Sequence, residues 1–337
     1  MNQVVQLLKE NLLQRRQNIS EFLKRASKSA VSTRMGPHER NEVDNQLHTF
    51  DQLIRKAEDE TLGQCDICHQ PVDTSRLEMD YNACVCLEHL SGEERAKLEN
   101  DLELSQKVQQ ALLPHTLPDI KGWELAAFSQ PARIVGGDYF DFLHFKDGAH
   151  AIVIADVMGK GMPASMLMSN LQASLRIIIP ENSNPAEVLN KINHLFCHNI
   201  RLTKFVTIFL AQFDETTRTL TYGSAGHNPP LLLRSNGSIE WLLPTGAAIG
   251  LIEQPSFYSN SLTLQRGDRL LLYTDGVVES FNQKEELFGD DRLARFFKES
   301  ADLTPSQVIA SLRENLQTFT QKNTPLDDTT IIVLSSN

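Results

Sequence analysis

The sequence predicts an α+β protein: an α/β sandwich preceded by a helical hairpin, a small metal-binding finger and a linker helix. Three observations carry this. From Trp123 onward, short apolar, β-prone runs come in clusters with helical stretches between them, which suits a sandwich better than a regular βαβ sheet. Before residue 62 the chain is polar and helix-prone, with two amphipathic stretches. Between these regions, four cysteines and a histidine stand at the spacing of metal knuckles.

Composition bounds the function classes. At 337 residues the chain is long enough for two domains, and 41% hydrophobic with 22% charged residues is ordinary for a soluble globular protein. A net charge of −11 argues against broad binding of nucleic-acid backbones. No apolar run approaches the roughly 18 residues of a membrane helix. The start, with Lys9, Glu10, Arg15 and Arg16, is unlike a signal peptide. Four of the five cysteines fall between Cys65 and Cys86, which fits a metal site in a reducing compartment better than a disulfide framework. A cytoplasmic protein is expected, with no membrane and no direct nucleic-acid partner.

Residues 1–62 read as a helical hairpin. Val4, Val5, Leu8 and Leu12 with Ile19, Phe22 and Leu23 mark one apolar stripe; Val43, Leu47, Phe50 and Ile54 mark the other. Gly36-Pro37 lies between them, where a helix stops and the chain can reverse. Residues 63–91 form the finger. Cys65 and Cys68 make one knuckle and Cys86 and His89 the other, seventeen residues apart, with Cys84 spare or standing in for Cys86. Four ligands and no open position make this a structural zinc site. Residues 92–114 read as a linker helix, with stripes at Leu98 and Leu102 and at Leu104, Val108, Ala111 and Leu112, ended by Pro114 and Pro118. Such a helix serves either signalling or dimerisation, or packs as an ordinary core helix.

Residues 115–337 carry the sandwich. Strands are expected at 151–154, 206–213, 220–222, 230–233, 270–273 and 331–334, and helices at 163–178, 185–200, 291–299 and 305–318. Thr304-Pro305 supplies the last helix with a cap and a proline at its first position. Four acidic motifs follow one another through this region: Gly136-Gly137-Asp138, Ala155-Asp156 with Gly159-Lys160-Gly161, Thr274-Asp275-Gly276 and Asp327-Asp328-Thr329-Thr330. Each Asp sits where an apolar run meets a turn, so its carboxylate can point into a cleft while its backbone stays anchored. Carboxylates collected this way suit hard divalent cations such as Mg²⁺ or Mn²⁺. Gly136 to Phe140 superficially resembles a diguanylate cyclase motif, but that fold has no place for the other three aspartates.

Two resemblances extend this reading. Leu62-Gly63-Gln64-Cys65 through Arg76-Leu77-Glu78 to Cys86 resembles the DksA/TraR type of zinc finger, which has the same seventeen-residue gap and is often preceded by a helical hairpin. This chain departs from it in having His89 for the last Cys. Arg34, His38 and Arg40 also stand at the hairpin tip, where that family has the acidic residues by which it acts at RNA polymerase. Only the zinc fold is carried over. The remainder resembles the SpoIIE/RsbU-like branch of the metal-dependent (PPM) serine/threonine phosphatases. The match runs through Val108-Gln109, Leu112-Leu113-Pro114, Pro131-Ala132-Arg133, the four acidic motifs and Ser224-Ala225-Gly226-His227-Asn228-Pro229.

The phosphatase resemblance implies two antiparallel sheets packed face to face, flanked by helices, with metals at one end. It implies a pair of Mn²⁺ or Mg²⁺ ions held by Asp138, Asp156, the Val157 carbonyl, Asp275 and Asp327 or its neighbour Asp328, with Arg133 on the substrate phosphate. His227 lies in a family motif, and Asn228-Pro229-Pro230 makes a structural loop an equal reading. The implied reaction is direct hydrolysis of a phosphoserine or phosphothreonine by a water activated between two metals, without a phosphoenzyme. The implied substrate is a phosphorylated STAS-type anti-anti-sigma protein in a partner-switching pathway, and the linker helix offers a homodimer contact. The alternative is a zinc-finger transcription modulator that binds RNA polymerase, its C-terminal domain a non-catalytic binding module.

Overall fold

A strand that buries both faces must be apolar along its whole length, and the longest apolar runs of this chain meet that condition. The protein is seen in a computed structural model that describes residues 37–59, 61–72, 84–199, 205–321 and 325–336, together with residues 9, 13 and 16. Two compact units result, residues 1–100 and 101–337. In the second, the described residues form ten strands in two sheets: β1 (Trp123–Gln130), β2 (Tyr139–His144), β3 (His150–Val157), β4 (Val206–Asp214), β5 (Thr219–Ala225), β6 (Leu231–Leu233), β7 (Ile239–Trp241), β8 (Asn260–Thr263), β9 (Arg269–Tyr273) and β10 (Thr329–Ser336). One sheet has the order β1-β10-β9-β6-β7 and the other β2-β3-β4-β5-β8, with every pairing antiparallel.

The two-residue period of the strands sorts their side chains into three apolar layers. Ile152 and Ile154 of β3 and Phe209 and Phe213 of β4 face inward, onto Leu270, Leu272, Ile332 and Leu334 of the other sheet. Val153, Ala155 and Val157 face outward, onto Met168, Leu171 and Leu175 of α3 (Met162–Ile178) and Leu189 and Ile192 of α4 (Pro185–Asn199). On the far side, Leu271, Tyr273, Ile331 and Val333 meet Leu293 and Phe297 of α6 (Gly289–Glu299) and Val308 and Leu312 of α7 (Pro305–Thr320). The order is helix, sheet, sheet, helix. A short helix, α5 (Asp275–Val278), follows β9. The predicted cap of α7 is present as a capping box, with Gln307 N–H donating to Thr304 Oγ1 and Thr304 N–H to Gln307 Oε1.

The first unit contains α1 (Pro37–Glu58), so the proline read in the sequence as a helix stop and chain reversal stands at the first position of a helix, where its missing N–H costs nothing. Phe50, Leu53, Ile54 and Ala57 bury one stripe of it against Leu62. The other half of the expected hairpin, residues 4–23, lies outside the described residues apart from 9, 13 and 16. The stretch expected as a linker is helical, α2 (Gly92–Leu112), and the boundary between the two units falls within it. Leu104 and Val108 on its surface are exposed. No described helix is long and apolar enough to cross a membrane.

Candidate functional site

Four strand ends bring the acidic motifs together. Asp138 immediately precedes β2 and Asp156 is the penultimate residue of β3, where Tyr139 pairs with Ala155. Asp275 opens α5 one residue beyond β9, after its N-cap Thr274, and Asp327 lies two residues before β10, where Tyr273 pairs with Ile331. The first pair belongs to one sheet and the second to the other. The two sheets are tied at this end by Asp138, whose Oδ2 accepts from Thr274 Oγ1 (2.8 Å) and from Thr330 Oγ1 (2.7 Å). Gly137 lets the Asp138 segment close onto β3, since a Cβ there would lie 2.6 Å from the Val157 carbonyl oxygen. After Val157 the chain turns through Gly159 and Gly161, both at positive φ, as the motif requires.

These carboxylates destabilise one another. Burial, then Asp156 and Asp328, hold the Asp138 carboxyl well above the usual carboxylate range. Burial, then Asp275, Asp327, Asp328 and Glu279, push Asp156 up to about 8. Burial, then Asp327 and Glu279, push Asp275 up to about 6. Asp138 Oδ1 is buried with no hydrogen-bond partner. Buried like charges and an orphaned carboxylate oxygen cost stability unless cations neutralise them. An all-oxygen donor set is what Mg²⁺ or Mn²⁺ takes, so these residues fit such ions. One protein cation already faces the group: Lys160 Nζ lies 2.7 Å from Asp327 Oδ2 and donates to the Leu326 carbonyl.

The adjacent pair divides its tasks. Asp327 faces Lys160, whereas Asp328 accepts from Ala132 N–H (2.8 Å) and Gly137 N–H (2.6 Å) and holds the loop before Asp138. Arg133 in that loop is exposed to solvent. His227 is buried, shares a hydrogen bond of 2.9 Å with Thr207 Oγ1, and is held neutral by a pKa pushed down to about 3, chiefly by burial. It therefore stays uncharged in the working range, which favours the structural reading of its motif. Sequence reasoning missed Glu279, and it gave no role to Thr274, Thr330 or Gln109 although they stand in stretches it singled out. Glu279 had a signal, standing one helical turn after Asp275.

In the first unit, Cys65, Cys68, Cys86 and His89 bring one ligand atom each within 4.8 Å of the others. The Cys68–Cys86 sulfur separation of 3.8 Å matches the tetrahedral edge of about 3.8 Å that zinc–sulfur bonds of about 2.3 Å require. His89 Nδ1 lies 3.0 Å from Cys86 Sγ and 3.9 Å from Cys65 Sγ. Backbone amides around Cys65 push its thiol down to about 6, favouring the thiolate that zinc binds. Cys84 lies outside this group, and burial pushes its thiol up.

Comparison with known proteins places this geometry among relatives. The family described as stage II sporulation protein E (SpoIIE) matches residues 146–337. Protein IcfG of Synechocystis sp. (strain ATCC 27184 / PCC 6803 / Kazusa) is 30% identical over 264 residues, covering 70% of this chain but only 42% of IcfG. Phosphoserine phosphatase RsbU of Bacillus subtilis (strain 168) is 28% identical over 239 residues, covering 71% of this chain and 70% of RsbU. Among solved structures, the SiaA-PP2C domain of Pseudomonas aeruginosa superposes with a TM-score of 0.65 at 20% identity, over 73% of this chain and 100% of that one, a likeness of fold.

Proposed function

The chain belongs to the SpoIIE family, and on that premise we propose that it is a metal-dependent serine/threonine phosphoprotein phosphatase. The observation that carries this is the convergence of Asp138, Asp156, Asp275 and Asp327 from four separate strand ends into one mutually repelling group. Similarity to a phosphoserine phosphatase supports the reaction. A non-catalytic binding module would have no use for buried carboxylates that raise one another's pKa.

In this reading Asp138, Asp156, Asp275, Asp327 and the Val157 carbonyl hold two Mn²⁺ or Mg²⁺ ions. Bound there, such ions acidify a water and neutralise charge growing on a phosphoryl group. The chain's own residues set the frame. Thr274 and Thr330 fix Asp138 by donating to Oδ2, while Oδ1 has no hydrogen-bond partner among the described residues. Asp328 fixes the loop that carries both Asp138 and Arg133. Exposed Arg133, five residues before Asp138, would meet a substrate phosphate with paired N–H donors. No protein nucleophile is needed. The Cys65, Cys68, Cys86 and His89 group is assigned as a structural zinc site of DksA/TraR type.

We further propose that the substrate is a phosphorylated STAS-type protein, so that this enzyme acts in partner switching. Phosphate release from a serine-phosphorylated STAS domain is expected to exceed that from a tyrosine-phosphorylated peptide by at least about tenfold in kcat/KM, equivalent to about 1.4 kcal/mol. Equal rates on both would remove the substrate assignment while leaving the hydrolase.

A further inference from the structure

Helix α2 is polar on most of its surface, yet it buries one side chain, the amide of Gln109, which is 7% exposed. A buried amide is costly unless both its ends are bonded. Here both ends meet the same residue. Gln109 Nε2 donates to the Gly136 carbonyl at 2.6 Å, and Gln109 Oε1 accepts from Gly136 N–H at 3.0 Å. The side chain thus does for Gly136 what a neighbouring strand would do, satisfying its whole peptide pair.

The site of attachment matters. Gly136 and Gly137 are the two residues before Asp138, and a Gly-Gly pair has the widest backbone freedom the chain can offer. Gly136 cannot be replaced by a stiffer residue, because a Cβ there would lie 2.4 Å from Asp328 Oδ2. The freedom must be removed from outside. Asp328 does so at Ala132 and Gly137, and Gln109 does so at Gly136. The end of α2 is itself fixed: Gln172 Nε2 on α3 donates to the Leu112 carbonyl, and Leu113 packs against two of the apolar layers.

We propose that Gln109 is a positioning residue for the metal centre, holding the Gly136-Gly137 hinge so that Asp138 is presented to a divalent cation. This rests on the assignment of Asp138 as a ligand. The test is calorimetric titration of Mn²⁺ into the full chain, run well below its thermal transition, for wild type, Gln109→Met, Gln109→Glu and Asp138→Asn. Met keeps the length and loses both hydrogen bonds; Glu keeps the acceptor for Gly136 N–H and loses the donor.

Gln109→Met is expected to weaken Mn²⁺ binding about tenfold while the metal-free thermal transition moves by no more than a few degrees. Gln109→Glu is expected to fall between Met and wild type, and it carries the test if the Met variant does not fold. Wild-type Mn²⁺ affinity in either Gln109 variant, with Asp138→Asn impaired, would overturn the positioning role. Wild-type affinity in Asp138→Asn would instead remove the ligand assignment, and the inference with it.

Discussion

Asp156→Asn is expected to lower metal-dependent turnover about a thousandfold and, at the same time, to raise the melting temperature of the metal-free protein above pH 7. The first effect follows from removing one of the carboxylates assigned to the metals. The second follows from repulsion. Burial and four acidic neighbours push Asp156 up to about 8 in the folded chain, against a usual value of 3.8. The folded state therefore binds a proton that the unfolded state has released, and metal-free stability falls as pH rises from about 4 to about 8. Asp275, pushed up to about 6, adds to the fall over the lower part of that range. Asn carries no charge, so the variant's stability should be flatter with pH. Calorimetric melting at several pH values in EDTA, with and without excess Mn²⁺, reads both arms. A variant that melts below wild type at pH 8, or turns over at the wild-type rate, would contradict the site.

The second large effect lies in the other unit. Cys86→Ser is expected to reduce bound zinc from one ion per chain to none, and to unfold the segment around residues 61–90. Cys84→Ser should keep both metal and structure. The scale is set by structural zinc sites, whose binding contributes on the order of 10–16 kcal/mol to small metal-dependent folds. Among the described residues of this segment, the apolar contacts centre on Cys65 and Val72 with Cys68, Val85 and Cys86 around them. Zinc content by atomic absorption and limited proteolysis of the two variants check this. Zinc lost from Cys84→Ser and kept by Cys86→Ser would exchange the two assignments.

How much of this was legible in the sequence depended on which faces are buried. β3, β4, β9 and β10 stand out as continuous apolar runs because each is buried on both faces between a helical layer and the opposite sheet. β2 escaped notice because Asp141 interrupts it. That residue is 1% exposed and is sustained by Tyr139 Oη and Arg176 Nε, partners that no local pattern reveals. β8, Asn-Ser-Leu-Thr, is an exposed edge strand with no apolar signature, and β7 is another edge. α3 ends at Ile178 as expected, where Ile179-Pro180 tightens the chain into a 3₁₀ turn.

The acidic motifs were legible because strand ends and turns mark them, although their meeting at one end of two sheets came only from the family resemblance. Asp328 and Gln109 were not separable from their neighbours in sequence. Their roles consist of hydrogen bonds to backbone groups far along the chain, Asp328 to Gly137 and Gln109 to Gly136. Side chains that serve a distant main chain leave no periodic trace.

The central claim is that the carboxylate group makes this chain a metal-dependent phosphatase. Its most direct test is hydrolysis of an aryl phosphate by the purified chain in EDTA, Mg²⁺ or Mn²⁺, with Asp275→Asn alongside. Turnover that requires the metal and is lost in the variant is the predicted result. Turnover that persists in EDTA, or survives intact in Asp275→Asn, would contradict the claim.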